Sequence, residues 1–130
     1  LEEKVNFFGP KEADATIVSW GTPKGAILDA LDLLEAEGLK ANFLQVRLIN
    51  PFPVEFVTDV LSRTKLKIDI EMNYSGQLAS LVRQHTGIAM DHLVVKYNGR
   101  PISRDEVYES VKMIMTNSHS PRKVVLHHGA

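Results

Sequence analysis

Glu71, Asn73, Tyr74, Ser75 and Gln77 place an acid, two amides, a phenol and a hydroxyl within seven positions around Gly76. That is more hydrogen-bonding capacity than a plain connection needs. An apolar-alternating run (Leu66, Ile68, Ile70) precedes the segment and a helical pattern (Leu78, Leu81, Val82) follows it. A strand that empties into a polar turn and then a helix is where open α/β sheets form their working surface. The side chains suit two jobs. Glu71, Asn73 and Gln77 can position a ligand or a second chain. Alternatively, Glu71 pairs with a lysine, Asn73 caps the helix and Gly76 permits the bend. No second carboxylate or histidine accompanies Glu71 at the turn, so it is a poor lone general acid.

Two further turns leave predicted strands in the same sense. Gly21-Thr22-Pro23-Lys24-Gly25 opens a helix whose free amides can hold an anion, with Lys24 adding charge. It matches neither a P-loop nor Gly-x-Gly-x-x-Gly, and a strand-to-helix turn that needs a glycine and a cap is the favoured explanation, since such glycines are common for backbone reasons alone. In Arg47-Leu48-Ile49-Asn50-Pro51-Phe52-Pro53, Pro51 forces Asn50 out of the helical region and shapes the loop in advance. Either Arg47 or Asn50 meets a partner, or the loop is a stiff connection with Phe52 plugging the core. The five histidines (His85, His92, His119, His127, His128) form no helical His-x-x-x-His pair, and neighbours such as His127 and His128 point to opposite sides of a strand. No Gly-x-Ser-x-Gly elbow occurs. The expectation is no catalytic residue and no metal ligand in this chain.

The chain has 130 residues, 44% hydrophobic and 24% charged, with a formal net charge of -1. Those values fit one domain with one core. They give no electrostatic footprint for nucleic acid. No apolar run approaches the ~20 residues that crossing a bilayer takes. There is no cysteine, so disulfides, thiolate metal sites and a cysteine-ligated iron–sulfur cluster are excluded within it. A cytoplasmic setting is expected. The chain opens at Leu1, and it reads as a piece of a longer protein.

These turns need a scaffold, and the periodicities supply one. Lys4–Phe8 is a short candidate strand ended by Gly9-Pro10, and Ala15–Trp20 a buried one. Thr22 and Pro23 suit the cap and first position of a helix whose apolar stripe is Ile27, Ala30, Leu31 and Leu34, with Gly38 at its end. Ala41–Leu48 is a strand, 53–63 a helix, Leu66–Ile70 a strand, 76–86 a helix stopped by Gly87, and Leu93–Val95 a strand. Ser103-Arg104-Asp105-Glu106 is a capping box for a helix faced by Val107, Val111 and Ile114. Strands alternating with helices predict a largely parallel sheet covered on both faces. The first turn is too short for a parallel crossover, so the first strand is antiparallel if it joins. Lys65, Lys67 and Asp69 alternate with apolar residues in a strand placed centrally. Either that strand has one exposed face or the lysine stems snorkel. Residues 1–116 are expected to form the domain and 117–130 a tail, with a small strand at Lys123–Leu126.

Glu71-x-Asn73-x-x-Gly76-Gln77-Leu78, preceded by Arg47-x-x-Asn50-Pro51-Phe52-Pro53 and by Ser19-Trp20-Gly21-Thr22, resembles the alpha subunit of 2-oxoacid:ferredoxin oxidoreductases. The likeness is to its C-terminal, transketolase C-terminal-like domain and covers about Ala13 to Met115. It implies a three-layer α/β/α sandwich with a five-stranded, mostly parallel sheet and an antiparallel first edge strand. It implies oxidative decarboxylation of a 2-oxoacid to an acyl-CoA with reduction of ferredoxin. The holoenzyme is expected to use thiamine diphosphate, magnesium, an iron–sulfur cluster and coenzyme A, none of them bound by this domain. The implied partners are the rest of the alpha subunit, a beta subunit and ferredoxin as acceptor. On this reading Gly21, Thr22, Lys24, Arg47, Asn50, Phe52, Glu71, Asn73, Tyr74, Gly76 and Gln77 face neighbouring domains or a ligand, and none is catalytic. The rival readings are a stand-alone anion- or nucleotide-binding module and the equivalent domain of a transketolase or 2-oxoacid dehydrogenase.

Overall fold

The alternation of periods resolves into ten elements in a computed structural model that describes residues 5–20, 24–46, 52–72, 76–97 and 99–126. They run β1 (Val5–Phe8), β2 (Ala15–Ser19), α1 (Lys24–Ala36), β3 (Ala41–Val46), α2 (Val54–Ser62), β4 (Leu66–Glu71), α3 (Gln77–Thr86), β5 (His92–Val95), α4 (Arg104–Thr116) and β6 (Lys123–Val125). The strands form one sheet in the order β1-β3-β2-β4-β5-β6. β1 is antiparallel to β3 at one edge, as the short first turn requires, and the other pairings are parallel.

Six strands replace the five expected. Lys123–Val125 is too short to show a period, yet it pairs in parallel with β5, and the Leu126 amide donates to Val95 O at 2.8 Å. Within the segment read as a tail, Lys123–Val125 is thus part of the sheet, where the small strand was expected.

Apolar residues of the two faces form two clusters. On one face Ile27, Ala30, Leu31 and Leu34 of α1 and Val107, Val111 and Ile114 of α4 bury against Ile17, Phe43, Ile68, Ile70 and Val94. On the other, Val57, Val60 and Leu61 of α2 and Leu78 and Val82 of α3 bury against Val18, Leu44 and Val46. Each fully buried side chain of this size contributes about 1.5–3 kcal/mol. The capping box forms: Glu106 N donates to Ser103 Oγ at 3.1 Å and Ser103 N to Glu106 Oε1 at 2.9 Å. α3 stops at Gly87, whose φ of 77° only glycine adopts readily. The proposed Thr22 cap and Pro23 lie outside the described residues.

β4 settles the question of its alternating polarity. It is central, between β2 and β5. Leu66, Ile68 and Ile70 point to the α1/α4 face. Lys67, Asp69 and Glu71 therefore point to the α2/α3 face. That face is covered: Asp69 is 0% and Glu71 1% exposed. Lys67 is half-buried, with its ammonium 3.8 Å from Asp91 at the mouth of β5. The strand's polar side is an interior lining rather than a solvated one.

Candidate functional site at the carboxyl edge of the sheet

The carboxyl ends of β2, β3 and β4 adjoin. β2 lies between the other two, with Ser19 opposite Gln45 and Val18 opposite Asp69. The Ser19 hydroxyl donates to Ile70 O at 2.6 Å, locking two of these ends together. The three strands that lead into the polar segments of the sequence thus end side by side.

β4 ends in Glu71. Its carboxylate accepts from the amides of Leu78 (Oε1, 2.9 Å) and Ala79 (Oε2, 3.1 Å), both in the first turn of α3. The N-cap position is Gly76, at φ 67°, with no side chain to offer. A glutamate from the strand therefore performs the capping that a local serine or aspartate usually performs, and its charge complements the helix N-terminus. Main-chain Glu71 O also accepts from Lys96 N at 3.0 Å, tying the turn to β5. Glu71 lies under the surface, and among the described residues of the turn it is Gln77 that is exposed. Neither role weighed for Asn73 can be placed, since 73–75 lie outside the described residues.

Asp69 is the residue that sequence reasoning passed over. It stands two positions before Glu71 on the same side of β4, fully buried, and neither carboxylate oxygen has a hydrogen-bonding partner among the described residues. Burial pushes its carboxyl well above the usual range, and the Glu71 carboxylate beside it pushes the same way, while the Ala79 amide pulls weakly back. The signal was the polar alternation itself, which had been read as a matter of exposure.

The remaining expected site residues divide. Lys24 places its ammonium 5.1 Å from the centre of the Phe8 ring, a cation–π contact. Phe52 is buried and stacks on His85 at 4.7 Å, so it does plug the core. His85 is in the last turn of α3 and Leu78 in its first, roughly 10 Å apart along the axis at 1.5 Å per residue. Phe52 and Glu71 therefore serve opposite ends of one helix. Gly21, Thr22, Arg47, Asn50, Asn73 and Tyr74 lie outside the described residues.

On the opposite face, a second buried charge closes the start of α4. Lys96 is 0% exposed, with Nζ 2.8 Å from Glu106 Oε1 and 3.1 Å from Pro101 O. Burial works to raise the Glu106 carboxyl, but the Lys96 ammonium and the Ser103 amide outweigh it and hold it below its ordinary value. A cleft of about 580 Å³ lies at the other, amino end of the sheet, lined among others by Lys11, Thr16, Lys40, Asn42, Thr64 and Lys65. Among the described residues no three acidic or histidine side chains are grouped to hold a metal ion.

The model of one family, pyruvate:ferredoxin oxidoreductase core domain II, matches residues 13–109. The chain belongs to that family. A curated relative, the 2-oxoacid:ferredoxin oxidoreductase subunit alpha of Saccharolobus solfataricus, is 43% identical over 99% of this chain and 20% of its own length. The chain thus spans about a fifth of the length of such curated relatives. Among solved structures, the alpha chain of a probable 2-oxoacid ferredoxin oxidoreductase from Thermoplasma acidophilum is 45% identical, with TM-score 0.63, over 88% of this chain and 99% of that one. A 2-oxoglutarate:ferredoxin oxidoreductase from Magnetococcus marinus, solved with 2-oxoglutarate, coenzyme A and succinyl-CoA bound, superposes with TM-score 0.78 at 29% identity, over 86% of this chain and 20% of that one.

Core domain II is thus the unit whose carboxyl edge carries the Glu71–Gln77 turn. Its described residues present that edge as packed backbone and capped helix, with Glu71 committed to two amides and Asp69 sealed below. No helix among them is long and apolar enough to cross a membrane.

Proposed function

We propose that this chain serves as core domain II in the alpha subunit of an enzyme that oxidatively decarboxylates a 2-oxoacid to an acyl-CoA while reducing ferredoxin. Its task there is to brace the neighbouring domains and the beta subunit, and it performs none of the chemistry. The observation that carries this reading is Glu71: the acid of the family-like turn is turned inward and fixes the start of α3, so it is committed to the fold rather than to chemistry. On this reading Lys24 and Gln77, with Gly21, Thr22, Arg47, Asn50, Asn73 and Tyr74, contribute the contact surface, while Glu71, Gly76 and Phe52 hold its form.

Thiamine diphosphate, magnesium, an iron–sulfur cluster and coenzyme A belong to the proposed holoenzyme. The chain has no cysteine for a cluster, and its described acids and histidines form no three-ligand group. No step of the reaction is assigned to it. A cytoplasmic setting, where reduced ferredoxin would be consumed, completes the proposal.

The test compares two preparations for 2-oxoacid- and coenzyme-A-dependent reduction of ferredoxin. The intact alpha subunit with its beta subunit is expected to turn over, and the 130-residue chain to show none. Sustained thiamine-dependent oxidation by the chain alone would overturn the assignment of a bracing role.

A further inference from the structure

We propose that Asp69 and Glu71 form an acid–carboxylate pair sharing one proton, in which Asp69 is a neutral positioning residue that donates its carboxyl hydrogen to Glu71 and so fixes the cap of α3. The inference concerns this chain's own folding and holds whether or not the parent is an oxidoreductase.

The geometry leaves few alternatives. Both residues point from β4 to the α2/α3 face, two positions apart, and both are buried. Glu71 uses its two oxygens on the Leu78 and Ala79 amides, which favours its charged form. An ionised Asp69 beside it would be a second buried carboxylate with neither oxygen hydrogen-bonded, an arrangement proteins avoid by keeping one proton on the pair. A neutral Asp69 needs one acceptor for its O–H, and Glu71 is the acceptor at hand.

Among the described residues no cation is placed to change this. On this face Lys67 of β4 turns its ammonium to Asp91. The strand neighbours are apolar: Val18 on β2, and Leu93 and Val95 on β5. From above, α3 presents Leu78 and Val82, and its Arg83 and His85 are exposed. Among the described residues the charge acting on Asp69 is that of Glu71, and its sign opposes ionisation. The contrast with the Lys96–Glu106 pair is one of partner: a buried ammonium there, a second acid here.

The stability consequence has a definite sign. Asp69 holds its proton in the folded chain well above its ordinary value of 3.8, whereas the unfolded chain releases it there. Asp69's contribution is thus fully present below that value and declines as pH rises toward the folded one. Asp69→Asn keeps an N–H donor for Glu71 and cannot titrate. In urea titrations of the chain between pH 4 and 8, the folding equilibrium constant of the variant relative to wild type is expected to rise about tenfold per pH unit until the folded value is reached. A flat or falling ratio overturns the proposal. Infrared spectroscopy reads the proton directly and needs no variant. At neutral pH the wild-type chain should show the carbonyl stretch of a protonated carboxylic acid, shifted when aspartate carboxyls carry a heavy carbon isotope. Asp69 is the one buried aspartate among the seven in the chain, all of which are described. Absence of the isotope-shifted band overturns the proposal even if Asp69→Asn fails to fold.

Discussion

The starts of α3 and α4 solve the same problem with different materials. Each helix begins with amides that need acceptors, and each is met by a glutamate. At α4 the glutamate is the helix's own Glu106, reciprocated by Ser103 three residues before it and neutralised by Lys96. At α3 the glutamate is Glu71, which arrives from a strand across a turn and rests on another acid. The local cap makes a helix that starts by its own sequence. The remote cap makes a helix whose start depends on the sheet.

The largest expected effect is at the ion pair. Lys96→Met leaves the half-buried Glu106 without its cation and should cost about 3 kcal/mol, the low end for a buried pair, read from urea unfolding at neutral pH. Adding Glu106→Gln should recover part of that loss, and no recovery would mean that Lys96 acts by packing alone. The pair also has a pH signature opposite to that of Asp69. Because Glu106 is held below its ordinary value of 4.5, its contribution is present above that pH and is lost as pH falls through the folded value. The double variant should therefore show a flatter acid limb than wild type, and an unchanged limb would remove the Lys96 pairing from the account.

Next comes the remote cap. Glu71→Ala removes two charge-assisted bonds and should cost about 2–3 kcal/mol. Amide exchange should quicken at residues 77–79 while the start of α4 stays protected. Equal loosening of both helices would mean that the two caps are not independent. Ser103→Ala, the local counterpart, should cost only about 1 kcal/mol. The smallest effect is at the far end of α3, where His85→Ala removes a stack on Phe52 worth about 0.5–1.5 kcal/mol. A larger cost there than at Glu71 would reverse which end of the helix is the anchored one.

What could be read in advance follows from the same contrast. The α4 capping box, the Gly87 stop and the antiparallel first strand depend on neighbours in sequence or on a loop too short for a crossover. Those are written in residues a few positions apart. The family-like turn was visible as a cluster of polar types, but its anchor was not, because the Glu71 contacts span seven and eight positions and depend on how α3 folds back. Asp69 was visible as an anomaly, an acid in a central strand. Whether such an acid is exposed or sealed depends on whether a helix covers that side, and this is a tertiary fact. β6 escaped full reading because three residues show no period, and only the free edge of β5 makes them a strand. Lys96 does not stand out in the sequence, since nothing local marks a cation destined for Glu106 ten positions on.

The account's central claim is that the carboxyl edge of the sheet is the face built for other protein. Hydrogen–deuterium exchange of this chain, free and within its assembled parent, tests it most directly. Assembly should slow exchange at residues 20–25 and 76–79, while the amino-end cleft around Lys40, Thr64 and Lys65 keeps its free-chain rates. Protection confined to that cleft, with residues 76–79 unchanged, would contradict the claim.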